Sequence, residues 1–223
     1  MSLFEDFLSI IYPDTCVGCE KELIEGEEII CIHCSQSLIR RDSSQDDEIL
    51  KNKIGVSIYF ESCFRLMDYR KNGYSQNILQ KLKYKNRPDI GIYFGEILGE
   101  KLKRTLDVDA LIPIPLHPKK LKKRGYNQSY LLAKGISQIT NTPLVEGLKK
   151  HIPRDTQTNK GRVKRWENVK DTFIINEDAF TTHFNHVLLI DDVVTTGATL
   201  EACALLLKEY GIEKISICVL AEA

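Results

Sequence analysis

The chain has 223 residues, 43% of them hydrophobic, with lysine plus arginine balancing aspartate plus glutamate at 31 each. The length suits one medium domain plus a small module, and the apolar content supports a folded core. Zero net charge leaves no whole-chain argument for nucleic acid or a membrane surface as a partner.

Residues 1–10 include Glu5 and Asp6 and lack a basic start leading into a long apolar run, so they do not read as a signal peptide. No apolar stretch approaches the roughly 20 residues of a membrane span. A soluble, cytoplasmic protein with no membrane insertion is expected. Seven cysteines in such a chain point to metal ligation or reduced thiols rather than disulfides.

Residues 1–45 form a cysteine-rich module. Its text, CVGCEKELIEGEEIICIHC, holds two CxxC pairs, Cys16 with Cys19 and Cys31 with Cys34, separated by eleven residues. Each pair can act as a knuckle offering two thiolates, and two knuckles close a tetrahedral site. The gap is shorter than the about 15–20 residues usual for this pattern. A structural Zn2+ in a zinc-ribbon-like module is favoured over a redox or vacant site. His33 lies between two better ligands and reads as a neighbour. Cys63, Cys203 and Cys218 sit in apolar patterns and read as core.

The polar run 41–53 reads as a linker, and residues 46–223 as the main domain. Strand-like runs cover 56–60 and 63–69, followed by an Asn72–Gly73 turn signal. Apolar residues at helical spacing mark helices over 75–82 and 90–106. A strand over 110–114 ends at Pro113 and Pro115. Residues 127–140 are amphipathic and helical, and a short strand covers 144–148. Residues 151–172 are polar, basic and without periodicity, so they read as a long loop. Then come an extended run 173–175, a strand 187–190, a helix 199–210 and a strand 214–220. The alternation predicts an α/β fold, a mostly parallel sheet with flanking helices.

The strongest signal is HVLLIDDVVTTGATL at 186–200: an apolar strand, an acid pair, a glycine turn and a helix. Such a loop lies at the carboxyl end of a strand, where open α/β sheets bind ligands. The helix start offers unpartnered N–H groups and the positive end of its dipole to an anion. Thr195, Thr196 and Thr199 add hydroxyls, and Gly197 allows close backbone approach. Asp191 and Asp192 would repel a phosphate. They suit sugar hydroxyls as acceptors, or a magnesium ion through water. Phosphate and diol sites side by side suit a ribose 5-phosphate. The plainer reading, a strand–helix junction with ordinary caps, needs only one acid.

This text resembles the phosphoribosyl pyrophosphate (PRPP) motif of type I phosphoribosyltransferases. The resemblance implies that fold, with Asp191 and Asp192 holding ribose hydroxyls and Val193, Val194, Thr195, Thr196, Gly197, Ala198 and Thr199 forming the phosphate turn. It also implies a pyrophosphate loop after strand 110–114, with Pro115, Leu116, His117, Lys120 and Arg124. A solvated basic face is the alternative for any single lysine there. The loop 151–172, with Arg154, Lys160, Arg162 and Arg165, reads as a basic lid over leaving pyrophosphate.

PIPLH at 113–117, RGYNQ at 124–128, Thr156, Gln157, Arg165, Asn168, Phe173 and residues 191–199 narrow the resemblance to the ComF family, and the cysteine module fits it. Lys120 stands where arginine is expected, keeping the charge but losing the bidentate fork. The resemblance implies a role in DNA uptake during natural competence, or in nucleotide metabolism. In one reading the protein is a glycosyltransferase moving phosphoribosyl from PRPP, with Mg2+, to a nitrogen nucleophile. In the other, the pocket holds a phosphoribosyl ligand or DNA end without transfer, and the zinc module and basic loops grip single-stranded DNA, with the competence DNA-uptake machinery as a partner.

Overall fold

The computed structural model describes residues 13–38, 50–51, 54, 58–151 and 172–223. The elements, in chain order, are α1 (Ile32–Leu38), β1 (Cys63–Asp68), α2 (Tyr74–Tyr84), α3 (Pro88–Leu102), β2 (Ala110–Pro113), α4 (Pro118–Arg124) and α5 (Gln128–Thr140). They continue with β3 (Leu148–Lys150), β4 (Phe173–Ile175), β5 (His186–Val194), α6 (Ala198–Tyr210) and β6 (Lys214–Glu222). Among the described residues, no helix is long and apolar enough to cross a membrane.

Four strands form one parallel sheet in the order β1-β6-β5-β2. Leu144 adds a single parallel bridge to Leu111 beyond β2. Successive residues of β5 point to opposite faces, as the pleat requires. Val187 and Leu189 join Leu200, Cys203 and Leu207 of α6 on one face. Leu188 and Ile190 join Ile78 and Leu82 of α2, Phe94 and Leu98 of α3, and Leu132 and Ile136 of α5 on the other. Burial on both sides explains why β5 and β6 read as nearly continuous apolar runs.

Helices α3 and α5 approach backbone to backbone. A Cβ on Gly95 would overlap the Leu132 carbonyl oxygen, and one on Gly135 the Ile92 carbonyl oxygen. The cysteine module shares the core of the α2–α3–α5 face: Cys16, Val17, Ile30 and Cys34 are buried in that cluster. Asn77 Nδ2 donates to Gly18 O at 2.7 Å across the join.

The structure departs from the sequence expectations at five places. The basic stretch after β2 is the helix α4 rather than a loop, because His117 Nδ1 accepts from Lys119 N at 3.1 Å and Pro118 begins the helix. Strand β5 runs on through the acid pair to Val194. The second cysteine pair meets the start of helix α1, where Glu27 Oε1 accepts from Ile32 N at 2.7 Å. Only Leu148–Lys150 is strand in the 144–150 stretch, pairing antiparallel with β4. Of the expected strand 56–60, residues 58–60 are not strand. Residues 55–57, most of the linker 41–53, and the loop residues 152–171 lie outside the described residues.

Candidate functional site

Chain order places a candidate ligand crevice between β2 and β5. From β2 the chain crosses through α5 towards Leu144 on one side, while from β5 it crosses through α6 to β6 on the other. The two connections diverge, leaving a crevice at the carboxyl ends of β2 and β5, where open α/β sheets take ligands. The β5–α6 turn and the β2–α4 connection both open there.

The acid pair is held rather than left at a solvated strand end. Asp191 Oδ1 accepts from Ser129 Oγ at 2.9 Å and from Asp192 N at 2.8 Å. Lys83 Nζ, from α2, lies 2.9 Å from Asp192 Oδ2. Burial, joined by the charge of Asp192, pushes the Asp191 carboxyl up; the Asp192 amide, the Ser129 hydroxyl and Lys83 pull against them, and the balance is about 7.

The turn that follows suits a small anion. Gly197 has φ +74 and caps α6 without a side-chain hydrogen bond, so the first N–H groups of α6 have no side-chain cap. A Cβ at Gly197 would come within 2.7 Å of Ile54 Cα. The backbone that Gly197 admits so closely is therefore Ile54 of this chain. Thr195 and Thr196 are exposed. Asp191 and residues 193–200 line a cavity of about 40 Å³, far smaller than the ~300–1,000 Å³ of sites enclosing whole drug-sized ligands.

On the β2 side, Lys119, Lys120, Lys122 and Lys123 are exposed on α4, while Pro115, Leu116 and His117 are partly buried in the connection before it. A cleft of about 600 Å³ runs from Pro115 and Leu116 past Tyr130 to Lys150. Arg124 is occupied elsewhere: its Nη1 donates to Gln128 Oε1 at 2.8 Å and its guanidinium sits 5.3 Å from the Tyr84 ring centre. Gly125, at φ +84, ends α4. Tyr126 donates its hydroxyl to Leu82 O at 2.7 Å and accepts from Arg87 N at 3.2 Å. Asn127 caps α5 and donates Nδ2 to Ile114 O at 2.9 Å. RGYNQ is thus a clasp joining the α4–α5 corner to the end of α2.

The four cysteines meet. Their Sγ atoms all lie within 4.8 Å of one another, and Cys19 Sγ to Cys31 Sγ is 3.7 Å. Bonds of about 2.3 Å from one tetrahedral ion would set sulfurs about 3.8 Å apart, whereas a disulfide needs about 2.05 Å. Soft thiolate donors in this arrangement fit a metal ion. Burial pushes the Cys16 thiol up, but the N–H groups of Cys31, Cys19 and Gly18 and the Cys19 side chain outweigh it, bringing Cys16 down to about 7. Cys31 N donates to Cys16 Sγ at 3.3 Å.

The structure brings Asp191 and residues 193–200 around one cavity, while Asp192 is turned to Lys83. Arg154, Lys160, Arg162 and Arg165 lie outside the described residues. Sequence reasoning missed Ser129 and Lys83. Ser129 carried a weak signal, as a hydroxyl in the first turn after Asn127. Lys83 carried none, because only the packing of α2 takes it to Asp192.

Residues 127–223 match the family described as phosphoribosyl transferase domain. The chain is 27% identical to competence protein F of Haemophilus influenzae over 97% of its own length and 93% of that protein. It is 25% identical to competence protein ComFC of Bacillus subtilis over 92% and 82%, and 27% identical to the DNA utilization protein YhgH of Escherichia coli O157:H7 over 63% of each. The matched residues carry β5, the acid pair and the turn, so the sheet is that of the type I phosphoribosyltransferase fold. With a cysteine cluster ahead of that domain and likeness to competence proteins along most of its length, the chain resembles the ComF family.

Proposed function

We propose that this protein binds PRPP, or a closely related phosphoribosyl ligand, at the β5–α6 turn, and acts in the cytoplasm on DNA taken up by the cell. The observation that carries the first part is the acid pair beside the glycine turn at the switch point. Carboxylates accept from ribose hydroxyls, and the open helix start receives the 5-phosphate. Lys120 and the backbone of residues 115–117 would meet pyrophosphate, with Arg154, Lys160, Arg162 and Arg165 adding countercharge. Arg124 serves the clasp first. The second part is supported by relatives named for competence and DNA utilization.

We assign a structural Zn2+ to Cys16, Cys19, Cys31 and Cys34. The donor set has no oxygen or open position to suggest catalysis.

One observation favours a second reading, single-stranded DNA as a partner. The exposed lysines of α4 flank Leu121, itself 41% exposed, which offers a phosphate-binding face. The cysteine module does not share this character: residues 13–38 hold Asp14, Glu20, Glu22, Glu25, Glu27 and Glu28 against Lys21. Calorimetric titration with PRPP tests the first reading, with pyrophosphate release over a panel of bases testing transfer. Single-stranded DNA affinity that falls steeply with salt, with a flatter slope after joint replacement of Arg162 and Arg165, would support the second; affinity indifferent to both would remove it.

A further inference from the structure

The acid pair does not meet a ligand as two bare carboxylates. Lys83 Nζ and Asp192 Oδ2 stand 2.9 Å apart, with side chains only 22% and 14% exposed. Asp191 Oδ1 is taken by two donors. Both carboxylates find these partners on helices of one face of the sheet, α5 for Asp191 and α2 for Asp192. Magnesium wants about six oxygens in near-octahedral array at about 2.1 Å. Here the ammonium already sits on one carboxylate oxygen, and two cations sharing it in a partly buried site would repel strongly. These residues do not fit a divalent ion bound directly to the pair.

Lys83 is also built into place. Its neighbours on both sides are clasped: Leu82 O accepts from the Tyr126 hydroxyl at 2.7 Å, and the Tyr84 ring carries the Arg124 guanidinium at 5.3 Å. The same RGYNQ segment that starts α5, and with it sets Ser129 on Asp191, therefore fixes the turn of α2 that sets Lys83 on Asp192.

We infer that Lys83 is the resident counter-cation of the acid pair, taking the place a divalent ion would hold at Asp192, so that a phosphoribosyl ligand donates its hydroxyls to the carboxylates with no metal between them. The clause about the ligand rests on the proposed PRPP reading; the clause about the cation rests on the ion pair. Lys83 is a positioning residue. It holds Asp192 oriented, and leaves Asp192 Oδ1 and Asp191 Oδ2 for the ligand.

Two titrations of the full-length, zinc-loaded chain separate these clauses. The first uses Mn2+ alone, followed by electron paramagnetic resonance; a hard cation ignores the thiolate cluster in favour of oxygen. The parent and Lys83→Arg take up no Mn2+ at the acid pair. Lys83→Met, or Lys83→Gln should the first fold poorly, gains a site that a second change, Asp192→Asn, removes. Uptake by the parent that Asp192→Asn abolishes, or none in either neutral variant, overturns the counter-cation. The second is affinity for ribose 5-phosphate, which lacks the pyrophosphate that would itself chelate Mg2+, in EDTA and in excess Mg2+. The parent binds equally within about twofold. Lys83→Met loses about tenfold or more in EDTA, as expected for a lost charged partner, and regains affinity with Mg2+, while Lys83→Arg keeps it throughout. Parent binding that requires Mg2+ overturns the metal-free contact. Failure of the parent to bind ribose 5-phosphate under either condition sinks the phosphoribosyl reading and leaves the Mn2+ result to judge Lys83.

Discussion

Ser129 Oγ donates to Asp191 Oδ1 at 2.9 Å, tying the first turn of α5 to the strand that carries the acid pair. Asp191 sits above its ordinary value, at about 7, because burial and then the charge of Asp192 outweigh that bond, the Asp192 amide and Lys83. In the unfolded chain the group ionises near pH 4. Between about pH 4 and 7 the native state therefore binds more protons, and this carboxyl's contribution to stability falls as pH rises through that window. Ligand affinity runs the other way. Hydroxyl donors favour the ionised carboxylate, so PRPP affinity rises between pH 6 and 8, by at most about tenfold per unit below the midpoint. Ser129→Ala removes a donor to the charged form, moves that midpoint upward and weakens binding at pH 7 by about tenfold. Calorimetry across pH checks both; an equal loss at every pH would assign Ser129 to packing alone.

Zinc analysis of purified protein should return one ion per chain. Cys31→Ser removes one ligand from the cluster of four. It should release the metal and loosen residues 13–38, because binding of a structural ion supplies folding free energy. Since Cys16 and Cys34 are buried in the same cluster as Ile78 and Leu79 of α2, the loss should also lower the melting temperature of the main domain. A folded, zinc-free module would contradict the assignment.

Periodicity and turn chemistry were enough to read α2, α3, α5, α6 and the parallel sheet from the sequence, since buried strands and amphipathic helices write their packing into apolar spacing. The 191–199 turn was legible because acids, glycine and threonines stand in an order that few other structures need. Four lysines and Arg124 set around Leu121 hid α4: its start depends on a His117 side-chain cap, and it buries none of its residues, so no apolar period marks it. RGYNQ was legible as a motif, but its work was not. Arg124, Tyr126 and Asn127 reach partners 2–44 residues away in sequence, and no local pattern records such contacts. Lys83 was silent for the same reason.

The Tyr126 hydroxyl caps two helices at once, taking the Leu82 carbonyl near the end of α2 and the Arg87 N–H at the start of α3. Helix ends leave such groups without partners of their own. Tyr126→Phe should destabilise the fold by about 1–3 kcal/mol, since two partly buried backbone groups lose their partner. Urea unfolding would show a lower midpoint with unchanged slope. No change in midpoint would mean that water replaces the hydroxyl without cost.

In the proposed function, Asp191 and Asp192 receive a phosphoribosyl ligand. Removing both carboxylates by Asp191→Ala and Asp192→Ala strips partners from Ser129 and Lys83, so loss of binding in that variant would mix with loss of stability. Asp191→Asn with Asp192→Asn keeps the shape and removes the charge. Calorimetric titration of PRPP into the parent and this double variant, with folding checked by circular dichroism, is the most direct measurement. The parent should bind, and the folded variant should lose roughly two orders of magnitude in affinity, as expected when more than one charge-assisted hydrogen bond is lost. Equal affinity in both proteins would make the carboxylates structural caps and contradict the account.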